Sequence, residues 1–201
     1  MKPTLPLGLY AIADATYGDP IAQARSLLAA GLGVVQLRCK GWSTAERVQA
    51  ARALRADFDT HHAILIMNDD LEAAAEGEAD GLHLGQGDGE LAAARARLGE
   101  SALIGRSTHS LRHIQAAQAE GADYIGFGPL FETRTKETPH PTQAALLEAA
   151  LTAAGATPLV GIGGLDAERL VGLRARGLQR WAVISAILLA PDLAQAVVAH
   201  R

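Results

Sequence analysis

One cysteine, Cys39, stands in 201 residues, which excludes an internal disulfide framework and any zinc or iron–sulfur site built on several thiolates. Aromatic residues make up only 4% and the net charge is -4, so the chain offers neither stacking platforms nor a basic stripe for nucleic acid. No apolar run approaches the roughly 18–20 residues that cross a bilayer, and the opening Met1-Lys2-Pro3-Thr4-Leu5-Pro6 lacks the apolar stretch of a signal peptide. Walker A, HExxH and EF-hand patterns are missing too. These absences predict a cytoplasmic chain without membrane or nucleic-acid partners, acting on small molecules. What is present is a 49% apolar composition with 21 Gly and 8 Pro, enough for one core and a single domain over residues 1–201.

Short apolar runs recur along the chain, each followed by a stretch of helical periodicity. Eight are found: 7–13, 34–37, 63–67, 81–84, 102–105, 124–127, 159–162 and 181–184. Their apolar residues are mostly consecutive rather than alternating, as in parallel strands covered on both faces. Between them, Asp19-Pro20 marks a helix start, and Ser43-Thr44-Ala45-Glu46 has the spacing of a capping box opening a helix to about residue 57. Further helices are expected after Asp70, Gly89, Ser110, Thr142, Asp166 and Pro191. Such a series over about 200 residues predicts an α/β fold, a small (β/α)8 TIM barrel. The stretch Ala79-Asp80-Gly81-Leu82 is weakly repeated as Ala122-Asp123-Tyr124-Ile125.

In such a barrel, reactive groups gather where strands run into the following loops. Two of the chain's three lysines, Lys40 and Lys136, fall at such places together with Arg38, a set suited to a pyrophosphate and equally to solvated loops. Asp69 and Asp88 end the third and fourth runs, where they could share Mg2+ with a diphosphate or cap helices; Asp70 is the better cap. Gly161-Ile162-Gly163-Gly164 and Ile184-Ser185-Ala186-Ile187 could together form a phosphate site at the last two strands, or the glycines could serve packing alone. His109, in Gly105-Arg106-Ser107-Thr108-His109, is the acid–base candidate, whereas His83 is expected to be structural.

Taken together these motifs resemble the thiamine phosphate synthase family over nearly the whole chain. Leu9 to Asp14 looks like its opening strand, Val35-Gln36-Leu37-Arg38-Cys39-Lys40 like its second-strand motif, and Asn68-Asp69 with His83 to Asp88 like its metal and diphosphate region. Ser107-Thr108-His109, Gly126-Phe127-Gly128-Pro129, Thr133-Arg134-Thr135-Lys136, Ile162-Gly163-Gly164 and Val183 to Ile187 follow in the family's order. The resemblance implies a Mg2+-assisted transferase joining hydroxymethylpyrimidine diphosphate to hydroxyethylthiazole phosphate, with release of pyrophosphate. It implies that Gln36, Arg38, Lys40, Asn68, Ser107 and Lys136 meet the pyrimidine diphosphate, with Arg38, Lys40, Ser107 and Lys136 closest to the chemistry. Asp69 and Asp88 would hold the metal, and Thr133, Thr135, Gly164, Ile184 and Ser185 the thiazole phosphate. A homodimer is compatible with it.

Three departures from the family pattern stand out: Cys39 in place of an acidic residue, Gln143 where glycine is frequent, and Arg180-Trp181 in place of Asp-Gly. They are expected to bear on substrate-loop geometry. A thiazole tautomerase on the same barrel is the rival reading, favoured by Arg106, His109-Ser110 and Phe131-Glu132-Thr133 and opposed by Asp69, Asp88 and Thr135-Lys136. A catalytically silent phosphate-binding barrel is the third.

Overall fold

Residues with short polar side chains open the helices and apolar runs form the strands between them, so that the local signals and the final topology agree. The computed structural model describes residues 2–132 and 142–201. Eight parallel strands close into a barrel in sequence order: β1 (Gly8–Asp14), β2 (Val34–Arg38), β3 (Ile64–Asn68), β4 (Gly81–Leu84), β5 (Leu103–Thr108), β6 (Tyr124–Phe127), β7 (Leu159–Ile162) and β8 (Arg180–Val183). The intervening helices are α1 (Pro20–Ala29), α2 (Thr44–Thr60), α3 (Leu71–Glu76), α4 (Leu91–Leu98), α5 (Leu111–Ala119), α6 (Leu147–Ala154) and α7 (Ala167–Ala175), followed by α8 (Ser185–Leu188) and α9 (Leu193–Ala199). This is the expected TIM barrel. Among the described residues no helix is long and apolar enough to cross a membrane.

The caps sit where the spacing puts them. Asp19, Ser43, Asp70, Ser110 and Asp166 each accept a backbone N–H of the helix that follows, and Ser43 with Glu46 completes the reciprocal capping box. The helix expected after Gly89 is instead preceded by Glu90, whose side chain makes no cap, and α2 runs to Thr60, past residue 57. Three short elements have no sequence signal of their own, the 3-10 turns Ala15–Tyr17 and Ala144–Leu146 and the four-residue α8, and the second of them delays the helix expected after Thr142 to Leu147.

Alternation along the strands divides two cores. Tyr10, Ile12, Val34, Ile64, Ile66, Leu103, Tyr124, Val160 and Ala182 fill the barrel interior. Leu9, Ala11, Val35, Leu37, Leu65, Met67, Leu82, Ile104, Ile125 and Phe127 face the helices. Gly105 makes room for the Tyr124 ring inside the barrel, since a Cβ there would lie 2.2 Å from Tyr124 Cζ.

The weak repeat has a structural meaning at the strands' N-terminal face. Asp80 accepts the Leu65 amide at 2.8 Å and an Arg55 N–H at 3.1 Å. Asp123 does the same one pair of strands further on, accepting the Ile104 amide at 2.8 Å, Arg95, and Lys2 Nζ at 2.6 Å. Those donors hold the Asp123 carboxyl below its ordinary range against the opposing pull of burial. Its stabilising contribution is therefore complete above about pH 4 and is lost as pH falls through the lowered folded value. Asp123→Ala is expected to cost about 2–3 kcal/mol at neutral pH, by orphaning the Ile104 amide and two cations, and nothing at the opposite face. Urea unfolding at pH 7 and pH 3 checks it, with the gap from the parent protein shrinking at the lower pH.

Candidate active site

The C-terminal ends of β1 to β5 carry the polar residues of the barrel mouth. On β1 and β2 the inward-facing rows end in opposite charges at matching register, Asp14 beside Arg38. Asp14 is fully buried, Arg38 nearly so, and Arg38 Nη1 donates to Asp14 Oδ2. Asp14 Oδ1 also accepts the Thr16 amide at 2.9 Å, which fixes the carboxylate from two sides. With one nitrogen spent on Asp14, the remaining guanidinium donors of Arg38 stay at the mouth. Lys40 is exposed on the loop two residues beyond β2.

Asn68 ends β3, and Asp69 follows with φ +62°, in the left-handed region that Asp and Asn tolerate better than most residues. Asp69 and Asp88 come together here as neighbouring carboxyl groups. Burial, and then the charge and hydrogen bond of Asp88, push the Asp69 carboxyl up to about 6, while Asn68 and Arg38 pull it back. Asp88 reaches this position because the loop folds back: its Oδ2 accepts the Gly85 amide at 2.9 Å, and a Cβ on Gly85 would collide with it at 2.4 Å. Asp70, by contrast, caps α3 through the Ala73 amide and takes Arg47 at 2.7 Å, as expected of the better cap.

Arg106 belongs to the opposite face of β5. Its guanidinium is buried and donates to the carbonyls of Gly85 at 2.6 Å and Gly89 at 2.8 Å, bracketing the loop that carries Asp88, and to Glu120 at 3.1 Å. It therefore holds the carboxylate loop instead of entering the mouth, which removes it from the features favouring a tautomerase. His109 follows β5, with its ring Nδ1 bonded to the Gly128 carbonyl.

Ser107 faces inward at the end of β5, and His83 Nε2 lies 2.9 Å from its Oγ. His83, expected to be structural, thus touches Ser107, one of the expected site residues. Its other nitrogen meets Tyr124 Oη at 3.1 Å, Tyr124 meets Tyr10, and Tyr10 meets Gln36. Sequence reasoning missed Asp14, Tyr10 and Tyr124. The available signal was the period of two: Tyr10, Ile12, Asp14 and Val34, Gln36, Arg38 are inward rows on adjacent strands that become polar toward the same end.

Gly164, Ile184 and Ser185 lie at the ends of β7 and β8, beside α8. Gly163 and Gly164 both have positive φ, and a Cβ on either would collide with the 129–132 stretch after β6, so close packing already demands glycine there. The same stretch is tied to β7 by Leu130 N–H to Ile162 O at 2.8 Å and Phe131 N–H to Gly163 O at 3.0 Å. Thr133, Thr135 and Lys136 lie outside the described residues. Of the three departures, Arg180 and Trp181 begin β8 and so sit at the far end of the barrel, where Arg180 donates to Leu5 O and Trp181 to His200 O. They do not bear on the substrate loops. Cys39 is buried among the helix-facing apolar residues, its thiol pushed up to about 12 by burial, and Gln143 donates its backbone N–H to Pro129 O at 2.8 Å.

Two neighbouring carboxyl groups whose charges oppose one another are a place where a divalent cation fits, because the cation relieves that repulsion. Mg2+ is commonly held by one or two carboxylates with substrate phosphate oxygens completing its shell, and these two donors suit it.

Residues 9–187 match the family model described as thiamine monophosphate synthase. A thiamine-phosphate synthase of Synechococcus sp. (strain CC9311) is 43% identical over 165 residues, 82% of this chain and 46% of that protein. That of Anaeromyxobacter dehalogenans (strain 2CP-C) is 37% identical over 185 residues, covering 92% of this chain and 82% of the relative. The chain spans about half the length of the Synechococcus relatives it matches, 46% to 50%. Among solved structures, the thiamine phosphate pyrophosphorylase from Pyrococcus furiosus superposes with a TM-score of 0.87 at 28% identity, over 97% of this chain and 94% of that one.

Proposed function

The chain belongs to the thiamine monophosphate synthase family, and from that membership we propose that it joins hydroxymethylpyrimidine diphosphate to hydroxyethylthiazole phosphate, giving thiamine phosphate and pyrophosphate. The observation that carries this reading is the meeting of the neighbouring carboxyl groups Asp69 and Asp88 with the buried Arg38, at the mouth that Ser107 also faces. A reaction that expels a diphosphate needs concentrated positive charge and hydrogen-bond donors, and a tautomerisation does not.

In this mechanism the carbon–oxygen bond between the pyrimidine methylene and the diphosphate breaks heterolytically. The electron pair leaves with the diphosphate, and the thiazole nitrogen donates its lone pair to the resulting pyrimidine-methyl cation. Arg38, Lys40 and Lys136 neutralise the departing charge, and Ser107 and Asn68 orient the diphosphate. Asp69 and Asp88 would hold Mg2+, which supplies Lewis-acid stabilisation of diphosphate oxygens. Thr133, Thr135, Gly164, Ile184 and Ser185 receive the thiazole phosphate through hydroxyls and backbone amides, in the position where barrels of this type commonly bind phosphate. Gln36 contacts the pyrimidine diphosphate at the barrel mouth, and the soluble, phosphorylated reactants suit a cytoplasmic setting.

Incubating the purified protein with both substrates and Mg2+ tests the proposal: thiamine phosphate and pyrophosphate should appear in equal amounts, and their absence would refute it. His109 separates this reaction from the tautomerase. With Nδ1 committed to the Gly128 carbonyl, His109→Asn keeps a donor in place and is expected to retain synthase turnover within about tenfold. A tautomerase that used the imidazole as its base would lose on the order of 10²- to 10⁴-fold. Steady-state assays of the variant with each substrate set distinguish the two.

A further inference from the structure

Below the Asp14–Arg38 pair, the described residues of the barrel interior carry a continuous row of hydrogen bonds. Gln36 Nε2 lies 3.0 Å from Tyr10 Oη, Tyr10 Oη lies 3.0 Å from Tyr124 Oη, Tyr124 Oη lies 3.1 Å from His83 Nδ1, and His83 Nε2 lies 2.9 Å from Ser107 Oγ. The row crosses from β2 through β1, β6 and β4 to β5, and its two ends are both residues of the barrel mouth.

A row of this kind has a direction, because each phenol carries a single proton. An amide nitrogen only donates, so Tyr10 accepts from Gln36, and the arrangement in which every proton of the row finds an acceptor within it has Tyr10 donating to Tyr124. Tyr124 in turn donates to His83 Nδ1, and a neutral imidazole that accepts at Nδ1 carries its hydrogen on Nε2. That hydrogen is donated to Ser107 Oγ, and the serine's own hydrogen is left for the mouth. At the other end the Gln36 Nε2 group is spent on Tyr10, which leaves Oε1 as the acceptor of that amide. Both phenols are held neutral, since burial pushes Tyr10 and Tyr124 above the ordinary tyrosine value.

Resting on the reaction proposed above, we propose that Tyr10, Tyr124 and His83 are positioning residues whose one-way hydrogen-bond row fixes Ser107 as a donor and Gln36 as an acceptor toward the substrate. The polarity matches a ligand with an anion at one end and an N–H donor at the other, as an aminopyrimidine bearing a diphosphate has. The reverse polarity would present a serine lone pair to the anion and an amide N–H₂ to the amine, both repulsive.

Nitrogen-15 NMR of histidine-labelled full-length protein, without substrate, reads the direction at His83. The expected result is the Nε2–H tautomer at neutral pH, with Nδ1 unprotonated. Tyr124→Phe, which keeps the ring packed on Gly105, should release His83 into a mixture of tautomers. It should also weaken binding of inorganic pyrophosphate with Mg2+ by about 10-fold, and by less than about 2-fold when Ser107 is already alanine, because the effect runs through the serine. An Nδ1–H tautomer in the parent protein, or an equal loss in the Ser107→Ala background, would overturn the proposal. If Tyr124→Phe does not fold, the parent's tautomer decides alone. Failure to make thiamine phosphate with the Nε2–H tautomer in place would refute the reaction and leave the polarity standing.

Discussion

Asp69→Asn is expected to slow turnover by on the order of 10²-fold and, at the same time, to make the unliganded protein harder to unfold. Both effects have one origin. Burial and Asp88 make the Asp69 charge unfavourable and raise its folded value to about 6, above the ordinary 3.8, so the folded protein holds a proton there that the unfolded chain releases. Folded stability therefore declines as pH rises from about 4 to 6 and stays lowered above that range. Asparagine keeps the shape and the left-handed backbone while removing the charge. Because the group is partly exposed to solvent, the gain at pH 7 is set at about 1 kcal/mol, a shift of roughly 2–4 °C. Thermal melts at pH 7 and pH 4 check it: the variant should melt higher at the first and equal to the parent at the second. An active variant, or one that melts lower at pH 7, would contradict the assignment.

Arg38→Met is expected to cost about 3–5 kcal/mol of folding stability, the largest loss available from a single change at the mouth. Asp14 is fully buried, and removing its cation leaves a carboxylate with only the Thr16 amide described as its donor. Adding Asp14→Asn to Arg38→Met should restore most of that stability, because a neutral amide no longer needs the guanidinium. Activity should not return, since the cation proposed to meet the diphosphate is still missing. Urea midpoints for the two single variants and the double variant, read at constant slope, separate an orphaned charge from general disruption. A double variant as unstable as Arg38→Met alone would rule out this account.

The barrel was legible in the sequence because consecutive apolar residues and serine or aspartate caps are local signals, and local signals decide where β1 to β8 and α1, α2, α3, α5 and α7 begin, whereas α4 and α6 start without a side-chain cap. The carboxylate pair was legible for a related reason: Asp69 and Asp88 each stand just past an apolar run. Asp14 was hidden because a lone acid at the end of a strand looks like many others until the register sets it against Arg38. Tyr10, Tyr124 and His83 were hidden more deeply. They lie on three different strands, and what unites them is the closure of the barrel, which no stretch of sequence records. Arg106 was misread for the complementary reason, since only strand alternation turns it away from the mouth and onto the Gly85 and Gly89 carbonyls.

The residues flanking 133–141 are stitched together at the base. Gln143 and Ala144 donate their backbone N–H groups to Pro129 and Leu130 at 2.8 and 3.1 Å, and Leu130 and Phe131 donate theirs to Ile162 and Gly163. The chain leaves and re-enters the described scaffold through one knot of main-chain bonds among residues 129–131, 143–144 and 162–163. A bond between main-chain groups does not depend on which side chain stands beside it, so these ties persist through substitution at 130, 131 and 144 as long as the backbone keeps its path. The fold thus fastens both flanks to the end of β7 with a clasp written in backbone chemistry.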